Sequence, residues 1–428
     1  MREIHTGLIA RIEGHGKVSI VLRGDVLENV KMQVVEGSRF FETLIKGRPW
    51  YEVPTILMRI CSICTADHNL AAVRAVENAF EVEVSEQTRL LRELLMHGSI
   101  LESHFLHIFF LSLPDLLGFP SALAMKKYYP EELERGFRLK KLGNDVQRVV
   151  GGRAIHPEKS KVGGFTSLPT ENQLANLKRR IVLALKDALH TVDLILTQDY
   201  AEIRDSWGIY SCLMPGRNYD YFGDRILLGE RVYEVSRYGE VIVERPISHS
   251  TAKRSTTKDG KPIMVGSLAR LNLIWDKLPP MAKECYKNSD RFPSYNPMEN
   301  ILAQAIETVA SLERCVEIID ELITRGIRNE KRIEIKPKES RGFGAVEAPR
   351  GTLYHDIAFD SSGKVKACNI ITPTAINTYH MEEILRKEVK VMLSEEKNDE
   401  EIKKMSEVIV RAYDPCLSCS AHVIRIKE

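Results

Sequence analysis

The sequence predicts a mainly helical α+β fold, a bundle of long central helices with β-rich segments at its periphery. Three observations predict it. Apolar residues recur at helical spacing over several long stretches. Alternating β-branched runs occupy the first part of the chain and return near 211–275 and 352–371. Two Cys-x-x-Cys pairs, Cys61 with Cys64 and Cys416 with Cys419, stand 352 positions apart with no repeat, low-complexity tract or linker between them. If both pairs serve one site, residues 1–428 must close around it as one integrated unit.

Each element follows in order. Lys17–Leu22 and Val30–Val35 alternate about a Gly24-Asp25 turn and predict paired strands, so 1–85 is a β-rich part carrying the first Cys pair. Residues 86–340 form the helical core. Leu90, Leu91, Leu94, Leu95, Leu101 and Phe105 predict a buried helix up to Pro114. Ile181, Leu183, Leu185, Leu189, Val192 and Leu196 predict a second, from Gln173 to about Asp205. Arg225–Pro246 reads as strand, with turns at Gly229 and Gly239. A third long helix starts near Asn296-Pro297. The 341–428 part holds a hairpin turning at Ser361-Ser362-Gly363, then helix from about Met381 to Val410. The charged stretch Ser394–Lys404 predicts a loop or solvated surface within it.

Composition removes several classes. The 428 residues are 43% hydrophobic, ample for a large core, and 28% charged. A net charge of +2 gives no electrostatic footprint for nucleic acid, and Lys178-Arg179-Arg180 fits a solvated helix face. Phe105–Leu113, the most apolar run, is about half a bilayer span and is interrupted by His107, so no direct membrane insertion is expected. The start, Met1–His5, lacks the apolar core of a secretion signal. The expected compartment is the reducing cytoplasm, where paired cysteines mean metal or redox chemistry. Cys212, Cys285, Cys315 and Cys368 stand alone and read as small apolar residues.

A Cys-x-x-Cys turn brings two thiolates to one soft or borderline metal. From spacing alone, two such pairs more commonly mean structural zinc. Against this, zinc ribbons draw both pairs from a compact module, and a fold of this size needs no zinc staple. A redox reading explains only one pair at a time.

The flanking residues add a resemblance. Arg11–Gly16, Glu36–Glu42, Arg59–His68, Ser103–His107, Gly152–Pro157, Gly163-Gly164, Met264–Arg270, Glu347–Gly351, Thr372–Thr374 and Asp414–Cys419 with His422 occur in the order found in nickel–iron hydrogenase large subunits, which this chain resembles over nearly its whole length. That resemblance implies the family's fold and its reaction, reversible heterolytic cleavage of H2. It implies nickel held by Cys61, Cys64, Cys416 and Cys419, with Cys64 and Cys419 bridging to an iron that carries CO and cyanide. Arg350 and Thr374 match the donors to cyanide, and Pro349, Asp414 and His68 line the ligands, His68 facing a bridging sulfur. Cys416 is the implied first proton acceptor, Arg350 a competing one, and Glu13 the carboxylate that passes the proton on. Glu42 and His422 match the ligands of a separate magnesium or iron ion. His104 and His107, at i, i+3 spacing, read as packed core histidines. Ser103 departs from the pattern, because many relatives carry Asp there.

The ending around His422 resembles cytosolic, multi-subunit enzymes linked to NAD(P) or to sulfur and polysulfide. The chain has no further cysteine set for iron–sulfur clusters and no G-x-G-x-x-G signature. Electrons are therefore expected to leave through an iron–sulfur small subunit, joined by flavin- and NAD(P)-binding and ferredoxin-like subunits. A maturation protease and nickel-loading factors are implied as well, with residues 423–428 as a removable tail. The rival readings are a membrane-bound energy-converting hydrogenase, a non-catalytic scaffold like the related respiratory complex I subunit, and a zinc-stapled protein.

Overall fold

A computed structural model describes residues 2–421 except 39, 204–207, 217 and 332. His422 and residues 423–428 lie outside the described residues.

The chain begins with a three-stranded antiparallel sheet, Arg2–His5, Gly16–Arg23 and Val26–Val34. Gly24 supplies the positive φ of 61° that its turn requires. The helix Thr65–Phe80 follows, buried except at Arg74 and Asn78. It packs on a second three-stranded sheet, Ser340–Ala348, Gly351–Phe359 and Val365–Ile371. The predicted hairpin forms its last two strands. The first of the three was not predicted; Gly342 and Gly344 interrupt the pattern of a strand there. Both glycines are needed for the close approach: a Cβ on either would overlap the helix backbone at Ala75 or Ala71. Gly344→Val is therefore expected to destabilise the fold by about 3 kcal/mol or more, measured as a lower denaturation midpoint with unchanged slope.

The predicted helix up to Pro114 is Glu86–Leu106, followed by a π-helical stretch, His107–Ser112, and a last turn, Leu113–Leu116. The continuous Glu86–Leu116 helix is long and apolar enough to cross a membrane, yet 83% of its most apolar window is buried inside the protein. It is a core helix of the bundle. Against it lies Pro130–Gly151, which sequence periodicity missed. That helix is rich in charge and carries Gly136 and Gly143. Gly143 lets it lie directly on the Glu102 backbone, with Gly98 facing Val146 across the same contact.

Glu171–Leu196 opens with a capping box from Thr170 and Gln173. It stops at Leu196, short of the predicted end near Asp205, itself outside the described residues. Asn300–Arg325, entered through a 3-10 turn at Pro297–Glu299, is almost wholly buried along its first half. Between these helices a four-stranded sheet runs in the order Ile263–Met264, Ile209–Met214, Arg225–Leu228, Arg231–Glu234. The turn at Gly229 is as predicted, whereas Gly239 lies inside a short helix, Tyr238–Val241, rather than between strands. The C-terminal helices are Pro373–Ser394 and Asp399–Ala412, so the chain breaks only over 395–398. The charge of Ser394–Lys404 is largely helix-start chemistry. Asn398 and Glu401 form a capping box, and Asp399, Glu400 and Glu401 crowd the first turn, where the helix dipole favours them.

Candidate metal centre

Cys64 caps the N-terminus of Thr65–Phe80, and Cys61 sits in the preceding loop. The amides of Ile63 and Cys64 point at the Cys61 sulfur, at 3.3 and 3.4 Å. Cys416 stands at the N-terminus of the short turn Leu417–Ser420, reached after a left-handed Asp414 (φ 51°) and Pro415. The two regions meet. Cys61 Sγ is 3.4 Å from Cys416 Sγ, Cys64 Sγ is 3.2 Å from Cys419 Sγ, and Cys416 and Cys419 are 2.6 Å apart. All four sulfurs lie within 4.8 Å of one another, all are buried, and none is in a disulfide. A metal–thiolate bond is about 2.3 Å, so sulfurs sharing one ion stand at most about 4.6 Å apart. The donor set fits a soft or borderline metal. Burial pushes the Cys416 and Cys419 thiols well up, while the Cys416 hydrogen bond and other sulfur contacts pull Cys61 well down. Four thiolates cannot form together in this pocket without a cation to compensate them.

Glu13 is stitched to the second pair through its backbone, with its carbonyl accepting from Leu417 N at 3.0 Å. Its side chain accepts from the Cys416 thiol at 3.2 Å, from Ser418 N at 3.1 Å and from the Ser418 hydroxyl. A half-buried carboxylate thus touches one sulfur of the cluster.

Arg350 is buried, and each of its three side-chain nitrogens donates one hydrogen bond. Its Nε donates to the Asp414 carbonyl at 2.9 Å, Nη2 to Asp414 Oδ1 at 2.9 Å, and Nη1 to Ser103 Oγ at 2.7 Å. Burial opposes its charge, but Asp414, Cys416, Cys64 and Cys61 hold its pKa above the ordinary value. Ser103 therefore supplies Arg350 with a neutral acceptor. Thr374 Oγ1 accepts from Cys416 N at 2.9 Å, which leaves its own proton free to donate.

The Arg350 segment rests on a buried ionic cluster. Arg270 donates to Glu307 at 2.6 and 2.7 Å, to Glu347 Oε2 at 2.7 Å, and to the carbonyls of Ala348 and Pro349 at 3.2 and 3.4 Å. Glu307 also binds His104 at 2.8 Å and Tyr219 at 2.5 Å. Burial works against ionisation of Glu307, yet Arg270 and His104 hold its pKa low. At Glu347 burial wins and the pKa is raised. Arg270→Met would strand both carboxylates. It is expected to cost about 3–5 kcal/mol, read as a large drop in thermal midpoint.

His68 pairs with His355, Nδ1 to Nε2 at 3.1 Å. Asp67, one residue earlier, is fully buried and its pKa is pushed up to about 7 by desolvation, with Ser99 donating to it at 2.8 Å. Glu42 accepts from Ile370 N at 2.8 Å and lies 3.9 Å from Lys253 Nζ. Its expected companion, His422, is outside the described residues. Sequence reasoning missed Ser418, His355, Asp67 and Gln304. The first three stand in or beside recognised motifs without a distinguishing pattern. Gln304, which donates to Asp414 Oδ2 at 3.1 Å, sits as a lone polar residue on a buried helix stripe.

Fold and site together define a thiolate-ligated metalloprotein. The family model described as nickel-dependent hydrogenase matches residues 39–137 and 251–422. The chain is 38% identical to the sulfhydrogenase 2 subunit alpha of Pyrococcus furiosus, covering 97% of this chain and 98% of that protein. It is also 38% identical to the sulfhydrogenase 1 subunit alpha of the same organism, covering 98% and 97%. Among solved structures, an NAD+-reducing [NiFe]-hydrogenase in the H2-reduced state superposes with a TM-score of 0.88 at 26% identity, over 99% of this chain and 100% of that one. The chain belongs to the nickel-dependent hydrogenase family, as a large subunit of the nickel–iron type.

Proposed function

We propose that Cys61 and Cys416 are terminal nickel ligands, that Cys64 and Cys419 bridge nickel to iron, and that H2 is cleaved heterolytically beside Cys416. The metals, when bound, polarise H2 and take up its electrons. The protein supplies the proton path. The Cys416 sulfur receives the proton, and Glu13 Oε2, 3.2 Å away, takes it from the thiol. Ser418 holds that carboxylate in place through two hydrogen bonds, so the transfer needs no large side-chain motion. Arg350 keeps its charge because Asp414 and the sulfurs favour it. That argues for Cys416 rather than Arg350 as first acceptor, and for Arg350 as a fixed cation facing the reacting atoms.

Arg350 and the Thr374 hydroxyl are suited to donate to cyanide on the iron, beside CO. Glu42 and His422 would hold a separate magnesium or iron ion. Electrons pass to an iron–sulfur small subunit and on to NAD(P) or to sulfur and polysulfide, through flavin-binding and ferredoxin-like partners in the cytoplasm. A protease and nickel-loading factors complete the site, removing residues 423–428.

The observation that carries this reading is the four-sulfur cluster with a carboxylate on one sulfur. Metal analysis combined with infrared spectroscopy of the purified enzyme tests it. Nickel, iron and absorption from bound CO and cyanide are expected. Zinc without nickel would overturn the reading.

A further inference from the structure

The helices Glu86–Leu106 and Asn300–Arg325 pack side by side, and two polar cross-links join their facing sides. His104–Glu307 reaches the backbone before Arg350 through Arg270. The second, between Gln304 and His107 at the end of the first helix, reaches the Arg350 side chain through Asp414. Asp414 Oδ1 takes Arg350 Nη2, and Oδ2 takes Gln304 Nε2 at 3.1 Å. A carboxylate can only accept, so the Gln304 amide is oriented with its oxygen toward His107 Nδ1, which carries the hydrogen of that bond. A bond to the Arg411 carbonyl, 2.7 Å from the other ring nitrogen, requires a hydrogen there as well, and Ser112 Oγ lies 2.8 Å from the same nitrogen. His107, Gln304 and Asp414 are all at most 2% exposed.

This geometry grips one short turn at both ends. Arg411 stands near the end of the helix Asp399–Ala412, three residues before Asp414, and the left-handed Asp414 leads into Cys416. His107 contacts the start of that turn directly and its carboxylate through Gln304. His107 also opens the π-helical stretch, an irregularity that re-aims side chains and recurs at functional sites. Position 304 needs a neutral group that donates on one side and accepts on the other. A carboxylate there would repel Asp414, and an apolar side chain would leave Oδ2 without a donor.

We propose that Gln304 and His107 are positioning residues for the hydrogenase reaction, holding the Asp414 carboxylate against Arg350 and so fixing Arg350 beside the metal centre. The proposal rests on the reading of Arg350 and Asp414 given above.

A double-substitution cycle in the intact multi-subunit enzyme tests it, with H2-dependent viologen reduction as activity. Gln304→Met keeps volume but removes the donor. Full nickel and iron content, an unchanged KM for H2 and a kcat lower by roughly 10- to 100-fold are expected. Combined with Asp414→Asn, it should add no further loss, because both act through one carboxylate. Wild-type kcat in fully loaded Gln304→Met, or losses that multiply with those of Asp414→Asn, would overturn the proposal. Should Gln304→Met load no metal, His107→Gln goes through the same cycle under the same criteria. Unchanged kcat in Asp414→Asn alone would instead bring down the underlying reading of Arg350, and this proposal with it.

Discussion

Cys419→Ser is expected to abolish H2 turnover, a loss of about three decades or more, together with most of the bound nickel and iron. A serine oxygen is a poorer partner than a thiolate for a soft or borderline metal. Cys419 lies 3.2 Å from Cys64 and 2.6 Å from Cys416, so its loss opens the cluster between the two pairs. A catalytic metal supplies several kcal/mol of stabilisation to the reacting state, and each 1.36 kcal/mol is tenfold in rate. Metal content per protein, by elemental analysis, checks the first half of the prediction and viologen reduction the second. The fold should survive, because the helix Thr65–Phe80 is fixed by its packing on the Ser340–Ala348 strand and by the Glu77–Arg92 pair at 2.7 Å, not by the cysteines. Retained metal with full activity would mean the second pair is not a ligand set.

Glu13→Gln should behave differently. Glutamine keeps the shape and can still accept from Ser418, so the local structure and the metal content are expected to match wild type. It cannot accept a proton at neutral pH. Turnover should fall by about 10²–10⁴-fold, the usual range for removing a positioned acid–base group. Glu13→Asp is expected to recover part of that loss, limited by the shorter reach to Cys416, now 3.2 Å from the carboxylate. Comparing kcat with nickel and iron content in the three proteins separates a proton-transfer defect from a loading defect. An active, fully loaded Glu13→Gln enzyme would move the proton route elsewhere.

The difference between these variants reflects what the sequence made legible. The cysteines announce themselves, because few other roles call for paired thiols at both ends of a long chain. Glu13, Arg350, Thr374 and Asp414 were found through their motifs, and the structure brings all four to the cysteine cluster or its immediate contacts. Gln304 and Arg270 were not legible as supports. A buried polar side chain on a helix stripe reveals itself only when its partners, here Asp414 and Glu307, are placed beside it. The fold shows the same division. Long apolar stripes gave the helices at 86–106, 171–196 and 300–325, whereas Pro130–Gly151 and Ser340–Ala348 depend on glycines whose use is close packing and not turning. Local pattern carries no signal for the neighbour a missing Cβ admits.

Joining Cys64 to Cys419 across so much intervening chain has a consequence for how the protein is made. At translation speeds of about 5–20 residues per second, the 352 positions between the pairs correspond to roughly 20–70 s of synthesis. Throughout that interval the nascent polypeptide carries an incomplete chelator, two thiols awaiting their counterparts. Such a half-site is open to oxidation and to capture by whichever abundant ion arrives first. Correct loading must therefore wait until the ribosome has released the final ligands, and the unfinished dithiol has to be guarded until then.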